Sequence, residues 1–533
     1  MARSALGKTS PAWMQHLACP EGYLPVHDAE STQVPERTLD TTGTERLYTA
    51  AQTRELDRCA IRDHHIPGST LMSRAARAAF GCLLQAWPQP ERIQVLCGTG
   101  NNGGDGFLIA DMAHKRGIPV TVLQLGDPGK IGGDALLARQ QALANGVPIK
   151  SFEEAPLLGV GVIVDAMLGT GLGGEVRGEY REAIATVNSS GLPVLAVDIP
   201  SGLCADSGRV LGMAVRADLT VTFIGLKRGL FTNAAADHTG AVEFNDLGVP
   251  REVYAAVDCD SYRLELEDLL ERLPARPASA HKGLYGTVLV IGGDRGMAGA
   301  AALAAEAALR CGAGLVRVAT REEHVAALVA RTPEAMPIGV RSGQDLAPLL
   351  EAADVLVVGP GLGQSSWSEQ LLQAAAASGR PMVLDADGLN LLAAGRVIEQ
   401  RRRDNWVLTP HPGEAARLLG CSNAEVQADR FAAVRSLQQT YGGVAVLKGN
   451  GSLVTDGSQL LLSDYGNPGM ASGGMGDVLS GVIGALLAQR PTALEAAALG
   501  VCLHGAAADL AAEEGQRGLL ASDLIPQMRA LLG

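Results

Sequence analysis

Two hydrophobic periods alternate along most of this chain. Apolar residues recur at helical spacing in YTAAQTRELDRCAI (48–61) and LMSRAARAAFGCLLQAW (71–87), each marking one face of a helix. Short β-rich runs follow: RIQVLC (92–97), PVTVLQL (119–125), VGVIVDAML (160–168), LPVLAVDI (192–199) and DLTVTFIG (218–225). Ala-rich helical stretches lie between them. Strands alternating with helices predict a parallel sheet covered on both faces. The character changes near 262–282, where RLPARPASAHKG (272–283) brings two prolines and small residues. A second alternating series then begins, with YGTVLVIGGD (285–294), GLVRVAT (314–320), DVLVVGPGLG (354–363), RPMVLDADG (380–388), NWVLTPH (405–411) and GVAVLKG (443–449). The pattern therefore predicts an α/β chain of two tandem domains. The expected segments are a polar, poorly ordered extension at 1–44, a first domain at 45–260, a linker at 261–282 and a second domain at 283–533. The glycine motifs of the two halves differ in sequence and position, so the halves do not read as copies.

Composition narrows the function. At 533 residues the chain exceeds one ordinary core, and 47% hydrophobic with 19% charged residues is a folding composition. A net charge of −13 argues against a nucleic-acid partner, which needs a broad basic face. It leaves room for phosphorylated small molecules, which need only a local cradle. Nine scattered cysteines without a C-x-x-C pair fit reduced thiols in the cytoplasm and neither a disulfide framework nor a zinc site. The most apolar run, AALAAEAALRCGAGLVRVA (301–319), is cut by Glu306, Arg310 and Arg317, so no membrane partner is expected. A cytoplasmic homo-oligomer acting on small molecules is the expectation.

Glycine, 66 residues of 533, concentrates at strand ends, where ligands bind in open parallel sheets. In GTGNNGGDG (98–106), Gly98, Gly100 and Gly103 satisfy G-x-G-x-x-G, and Asp127 follows near the next strand end. A plain dinucleotide-binding site is one reading of that spacing. The amides and carboxylate of NNGGDG depart from it, because Asp105 would repel a phosphate unless a cation intervened. Asp105 could instead cap a helix starting near Phe107, or the cluster could be an oxygen-rich cation site. VDAMLGTGLGGE places Asp165 at a strand end before a second glycine loop, and VDIPSGL places Asp198 and Ser201 at another. Three neighbouring strand ends thus offer Asn102, Asp165 and Ser201 as oxygen donors, leaving Asp198 to move protons.

In NPGMASGGMGDVLSGVIGALLA (467–488) a glycine turn runs into an apolar helix. The amides of Gly473, Gly474 and Gly476 would face an anion there. Asp477 would take a proton from a hydroxyl being phosphorylated, or would cap the helix. LKGNGS (447–452) ends a strand with Lys448 and suits an adenylate; LTPHPGE (408–414) offers His411 and Glu414; GPGLG (359–363) and DADGLN (385–390) close the rim. Asp385 and Asp387 could assist magnesium.

GTGNNGGDG, DAMLGTGLGG and VDIPSGL together resemble the NAD(P)H-hydrate epimerase domain over about 47–250. The resemblance implies a Rossmann-like three-layer α/β/α sandwich and a potassium ion held by Asn102, Asp165 and Ser201. It implies contact with the hydrated dinucleotide through Asn101, Asn102, Gly103, Gly104, Asp105, Gly169, Thr170, Gly171, Leu172, Gly173, Gly174, Glu175 and Asp198, with Asp198 catalytic. The half from about 284 to 533 is similar to the ADP-dependent NAD(P)H-hydrate dehydratase, a ribokinase-like domain. There the resemblance implies that Ala300, Gly361, His411 and the catalytic Asp477 contact the hydrated dinucleotide. Lys448, Gly449, Asn450, Gly451, Ser452 and Gly476 would contact the adenine nucleotide. The implied chemistry is phosphorylation of the ring hydroxyl by ADP with Mg2+, then elimination to NAD(P)H, AMP and phosphate. The extension at 1–44 departs from the family pattern. The competing reading is a vitamin-precursor kinase fused to a non-catalytic Rossmann-like binding module.

Overall fold

The structure, a computed structural model, describes residues 45–489 and 491–533. The extension at 1–44, expected to be poorly ordered, lies outside the described residues.

The first sheet has seven strands, all parallel. Across the sheet they run Ile149–Ser151, Val120–Gln124, Ile93–Cys97, Val162–Ala166, Val194–Val197, Leu219–Phe223 and Ala241–Asn245. Every residue of Ile93–Cys97, Val162–Ala166 and Leu219–Phe223 is buried, as expected of largely apolar strands covered on both faces. The order reverses between Ile93–Cys97 and Val162–Ala166, in the manner of a Rossmann sheet. A crevice opens beyond the strand ends at such a reversal.

The second sheet has twelve strands. Its parallel part runs Met336–Gly339, Leu315–Thr320, Thr287–Ile291, Val355–Val358, Met382–Leu384, Trp406–Leu408 and Val444–Leu447. The reversal here lies between Thr287–Ile291 and Val355–Val358. The two halves therefore share one winding order although their glycine motifs differ. Two antiparallel strands, Ser452–Thr455 and Leu460–Ser463, extend the sheet. It then takes in Ser261–Arg263 beside Leu460–Ser463, Glu45–Tyr48 beside that, and Leu226–Lys227 at the edge.

The expected linker thus opens with a strand, and the first domain contributes two strands to the second domain's sheet. One buried apolar cluster also runs across the junction, from Leu47, Ile199, Leu230 and Phe231 to Leu289, Leu408 and Leu447. Among the described residues one helical stretch, Ala493–Glu514, is long and apolar enough to cross a membrane, but 78% of its apolar window is buried inside the protein.

Candidate active sites

The strand Ile93–Cys97 turns through Gly98–Gly100 straight into the helix Asn101–Lys115, whose cap position is Gly100. The helix starts at Asn101, not near Phe107. Asp105 is therefore inside it and cannot be its cap. The glycines are explained by crowding. A Cβ on Gly98 would fall on the Met167 carbonyl oxygen, and one on Gly103 would fall on that of Gly98. A Cβ on Gly106 would lie 2.6 Å from the Ala166 Cβ and 2.7 Å from the Cys97 Sγ. The helix can lie directly on the two central strands only without those side chains, and this contact presses Asn102 and Asp105 into the crevice at the reversal. Asp127, the acidic residue of the dinucleotide spacing, accepts from the Gly129 N–H at 2.9 Å and caps a short 3-10 turn.

Asn102 is buried, and neither Oδ1 nor Nδ2 of its side chain has a hydrogen-bond partner. Such an amide is costly unless a ligand satisfies it. Asp165 is fully buried at the end of Val162–Ala166. Its Oδ1 accepts from the Ser201 hydroxyl at 2.6 Å and its Oδ2 from the Ser201 N–H at 2.8 Å. Burial nevertheless pushes its pKa up to about 6 against these bonds. The Ser201 hydroxyl oxygen also accepts from the Leu168 N–H at 2.8 Å. Next to Leu168, Gly169 lies against Asn102, where a Cβ would come within 3.4 Å of the Asn102 Cβ. The three oxygen donors expected from separate strand ends are thus joined through one short loop.

Above them opens a cavity of about 600 Å³ lined by Asn101, Asn102, Asp105, Asp198 and the loop Gly169, Thr170, Gly171, Leu172 and Gly173. Gly103 and Gly104 instead face the Gly98 backbone and the Met72 side chain. Gly174 and Glu175 lie outside the lining, and Glu175 is exposed with Arg177 3.6 Å away.

Among the lining residues that escaped the sequence reading, Lys227 and Asp57 carry charge into the cavity. Lys227 is buried, and its ammonium donates to Asp198 Oδ1, to Thr222 Oγ1 at 2.9 Å and to the Phe223 carbonyl at 2.8 Å. Those acceptors use all three of its N–H groups. Asp198 itself is held at φ +69°, a left-handed conformation unusual for a side chain other than glycine and typical of functional sites. Burial, reinforced by the Asp198 charge and opposed by Lys227, pushes Asp57 up to about 6. Burial likewise holds Asp105 well above the carboxylate range, with Asp198 and Asp57 adding to it. One ammonium therefore serves three carboxyl groups, and Asp198 is the one bonded to it. A single lysine after an apolar run gives no signal in the sequence, because it reads as a strand end emerging into water.

In the second domain the helix Met475–Ala488 begins after Gly474, which sits at φ +93°. A side chain there would also meet Leu303 Cδ1 at 2.7 Å. Asp477 lies in the first turn, and no side chain caps the helix. Burial pushes its pKa up to about 7, with Asp385 adding to the rise and Lys448 opposing it. Lys448 follows the strand Val444–Leu447 and donates to Asp385 Oδ1 at 2.7 Å; Glu414 Oε2 lies 3.9 Å away. Asp385 is buried, and its Oδ2 has no partner. Gly476 packs beside this pair, so that a Cβ would lie 3.1 Å from Lys448 Nζ.

His411 caps the helix Pro412–Leu419: its Nδ1 accepts from the Gly413 N–H at 3.0 Å while Glu414 accepts from the His411 N–H at 2.8 Å. This capping box leaves Nε2 free of the backbone, 3.4 Å from Glu414 Oε1. Gly361 lies against Ala300, a Cβ there falling 3.1 Å from the Ala300 Cβ. His504 was not expected here. It is buried with Nε2 unpartnered, and burial followed by Lys448 pushes its pKa down to about 4. Among the described residues no group of three or more His, Cys, Asp or Glu side chains could hold a metal.

Fold and sites define a fusion of a Rossmann-like domain with a second α/β domain of ribokinase-like type. Comparison with known families gives two matches. A model described as YjeF-related protein N-terminus covers residues 68–229, and one described as NAD(P)H-hydrate dehydratase covers 288–529. The bifunctional NAD(P)H-hydrate repair enzyme of Coxiella burnetii is 51% identical over 91% of this chain and 99% of its own length. That of Escherichia coli is 47% identical over 87% of this chain and 89% of its own. The chain belongs to the family of bifunctional NAD(P)H-hydrate repair enzymes. Among solved structures, the ADP/ATP-dependent NAD(P)H-hydrate dehydratase of Bacillus subtilis is 30% identical over 50% of this chain and 96% of its own, with a TM-score of 0.45.

Proposed function

We propose that this chain restores hydrated NADH and NADPH in two steps, interconverting the R and S hydrates in the first domain and dehydrating the S form with ADP in the second. The observation carrying this reading is that each sheet has its own site beyond the ends of its parallel strands, built around its own lysine–carboxylate pair. These pairs are Asp198–Lys227 and Lys448–Asp385.

In the first cavity the ring carbon bearing the hydroxyl is a hemiaminal, so it epimerises by ring opening or by loss and return of water. Either path needs a group that takes and returns a proton beside the ring, and Asp198, bonded to the buried Lys227 ammonium, is the carboxylate placed to supply it. Asp105, whose neutral form burial favours, can donate a hydrogen bond to the substrate when protonated. Asn102, Asp165 and Ser201 would hold a potassium ion, which supplies a fixed positive charge when bound; the orphaned Asn102 amide and the buried carboxylate suit such a cation.

In the second site the ring hydroxyl attacks the β-phosphorus of ADP, its proton passing to Asp477 while AMP leaves. The phosphorylated carbon then loses phosphate, and the neighbouring carbon loses a proton to complete the ring double bond. Hydroxide leaves poorly and phosphate leaves well, which is why a phosphoryl donor is needed. The amides at Gly474–Gly476 and the Lys448 ammonium face the transferring charge. Loop residues Gly449, Asn450, Gly451 and Ser452 would bind the adenylate, and Ala300, Gly361 and His411 the hydrated ring. Magnesium neutralises phosphate charge when bound with the nucleotide; Asp385, with one buried oxygen unpartnered, is the carboxylate placed to help hold it.

The test is incubation with mixed R and S hydrates and ADP. Complete return of the reduced-nicotinamide absorbance is expected. Return of half the absorbance would remove the epimerase assignment. No return, with phosphorylation of a vitamin-precursor alcohol instead, would favour the kinase reading.

A further inference from the structure

The nucleotide loop of the second domain rests on the first domain. The Thr232 hydroxyl lies 3.1 Å from the Asn450 carbonyl and 3.3 Å from that of Gly451. The Asn233 N–H donates to the Asn450 carbonyl at 3.2 Å, and the Asn450 amide donates to the Asn233 carbonyl at 2.7 Å. Gly451 is at φ +64°, and a Cβ there would fall on the Phe231 carbonyl oxygen. The two backbones therefore touch at a place only glycine permits.

Beneath this contact lies Arg430, 1% exposed. Its Nε donates to Thr232 Oγ1 at 3.2 Å, while Nη2 donates to the carbonyls of Leu447 at 3.3 Å and Gly451 at 3.2 Å. Nη1 donates to Gln427 Oε1 at 3.1 Å. These acceptors are neutral oxygens. A buried cation without an ion pair among the described residues favours an anion in the loop above it. Arg430 also fixes both ends of that loop, and the shared Thr232 hydroxyl fixes Arg430.

We propose that Thr232 and Arg430 are positioning residues for the adenine-nucleotide loop, so that the first domain completes the nucleotide site of the second. This rests on the reading that Lys448–Ser452 bind the nucleotide. One short turn, Arg228–Phe231, separates Lys227 of the first site from Thr232. The same segment thus carries one site's lysine and the other site's loop support, a physical reason for both activities to occupy one chain.

The experiment uses the full chain and measures ADP binding by calorimetry, dehydration kinetics with ADP varied, and R-to-S exchange. Thr232→Val keeps the shape and removes the hydroxyl. One such bond contributes about 1 kcal/mol, so the Kd and KM for ADP should rise about fivefold, with kcat and R-to-S exchange unchanged. Thr232→Ser keeps the hydroxyl and should bind ADP like the wild type. As a second variant, Asn233→Gly keeps a left-handed residue at φ +61° while deleting the bond from its amide to the Gln427 carbonyl at 2.8 Å. It should weaken ADP binding about threefold. Unchanged ADP affinity in Thr232→Val and Asn233→Gly, or equal losses in the valine and serine variants, would overturn the proposal. A wild-type chain that dehydrates the S hydrate without binding ADP would instead overturn the nucleotide-loop reading beneath it.

Discussion

Asp165 and Ser201 form a closed two-point contact, the hydroxyl and the N–H of the serine each donating to a different oxygen of the buried carboxylate, at 2.6 and 2.8 Å. The pair is fully buried and adjoins the orphaned Asn102 amide through the Leu168–Gly169 loop. Burial raises the Asp165 pKa to about 6. The protonated form is therefore favoured by folding, and the stability it provides is lost as pH rises through about 6. A cation would offset that loss. Potassium chloride should raise the melting temperature relative to an equal concentration of tetramethylammonium chloride at pH 8. The increment should fade as pH falls below about 6, because protons then compete for the carboxylate. An increment that is the same at pH 5 and pH 8 would separate Asp165 from cation binding.

Replacing Asp198 removes the group that moves the proton in the first site. Asp198→Ala should slow R-to-S exchange by about 10²–10⁴-fold and leave dehydration of pure S hydrate at the wild-type rate. Lys227→Met should slow exchange too, since Asp198 loses its buried partner. Chiral chromatography of the two hydrates over time measures both. Exchange at the full rate in Asp198→Ala would move the base to another carboxylate of the cavity, such as Asp57.

Asp477, with its pKa near 7, must be ionised to accept the hydroxyl proton. The dehydration rate should therefore rise with pH through about 7. Asp477→Asn should cost about 10²–10⁴-fold in kcat while calorimetry still detects ADP. Because folding favours the protonated form, stability provided by this group is lost as pH rises through about 7. Asp477→Asn should accordingly gain more in melting temperature over wild type at pH 9 than at pH 5. Loss of ADP binding would make Asp477 a structural residue of the helix start.

Gly106 tests why the first motif contains so much glycine. It lies outside the cavity, and a methyl group there would collide with Ala166 and Cys97. Gly106→Ala should destabilise the chain by about 1–3 kcal/mol, read as a shift in the urea midpoint. Gly171, where a Cβ meets nothing within 4 Å, should accept alanine with little change in that midpoint.

Alternating periods in the sequence determined the two α/β domains and nearly every central strand, because runs buried on both faces can satisfy their apolar side chains in few other ways. The same logic placed Asn102, Asp165, Asp198, Lys448 and Asp477 at strand or helix ends. Their neighbours in space were decided by the fold. Lys227, Asp57 and His504 join the sites from segments whose local patterns read as an ordinary strand end or helix face. The contact of Thr232 with Asn450 and Arg430 depends on how one sheet docks beside another. Periodicity reports which face of an element is buried. Which distant element covers that face, and which ammonium then meets which carboxylate, is settled only when the whole core packs.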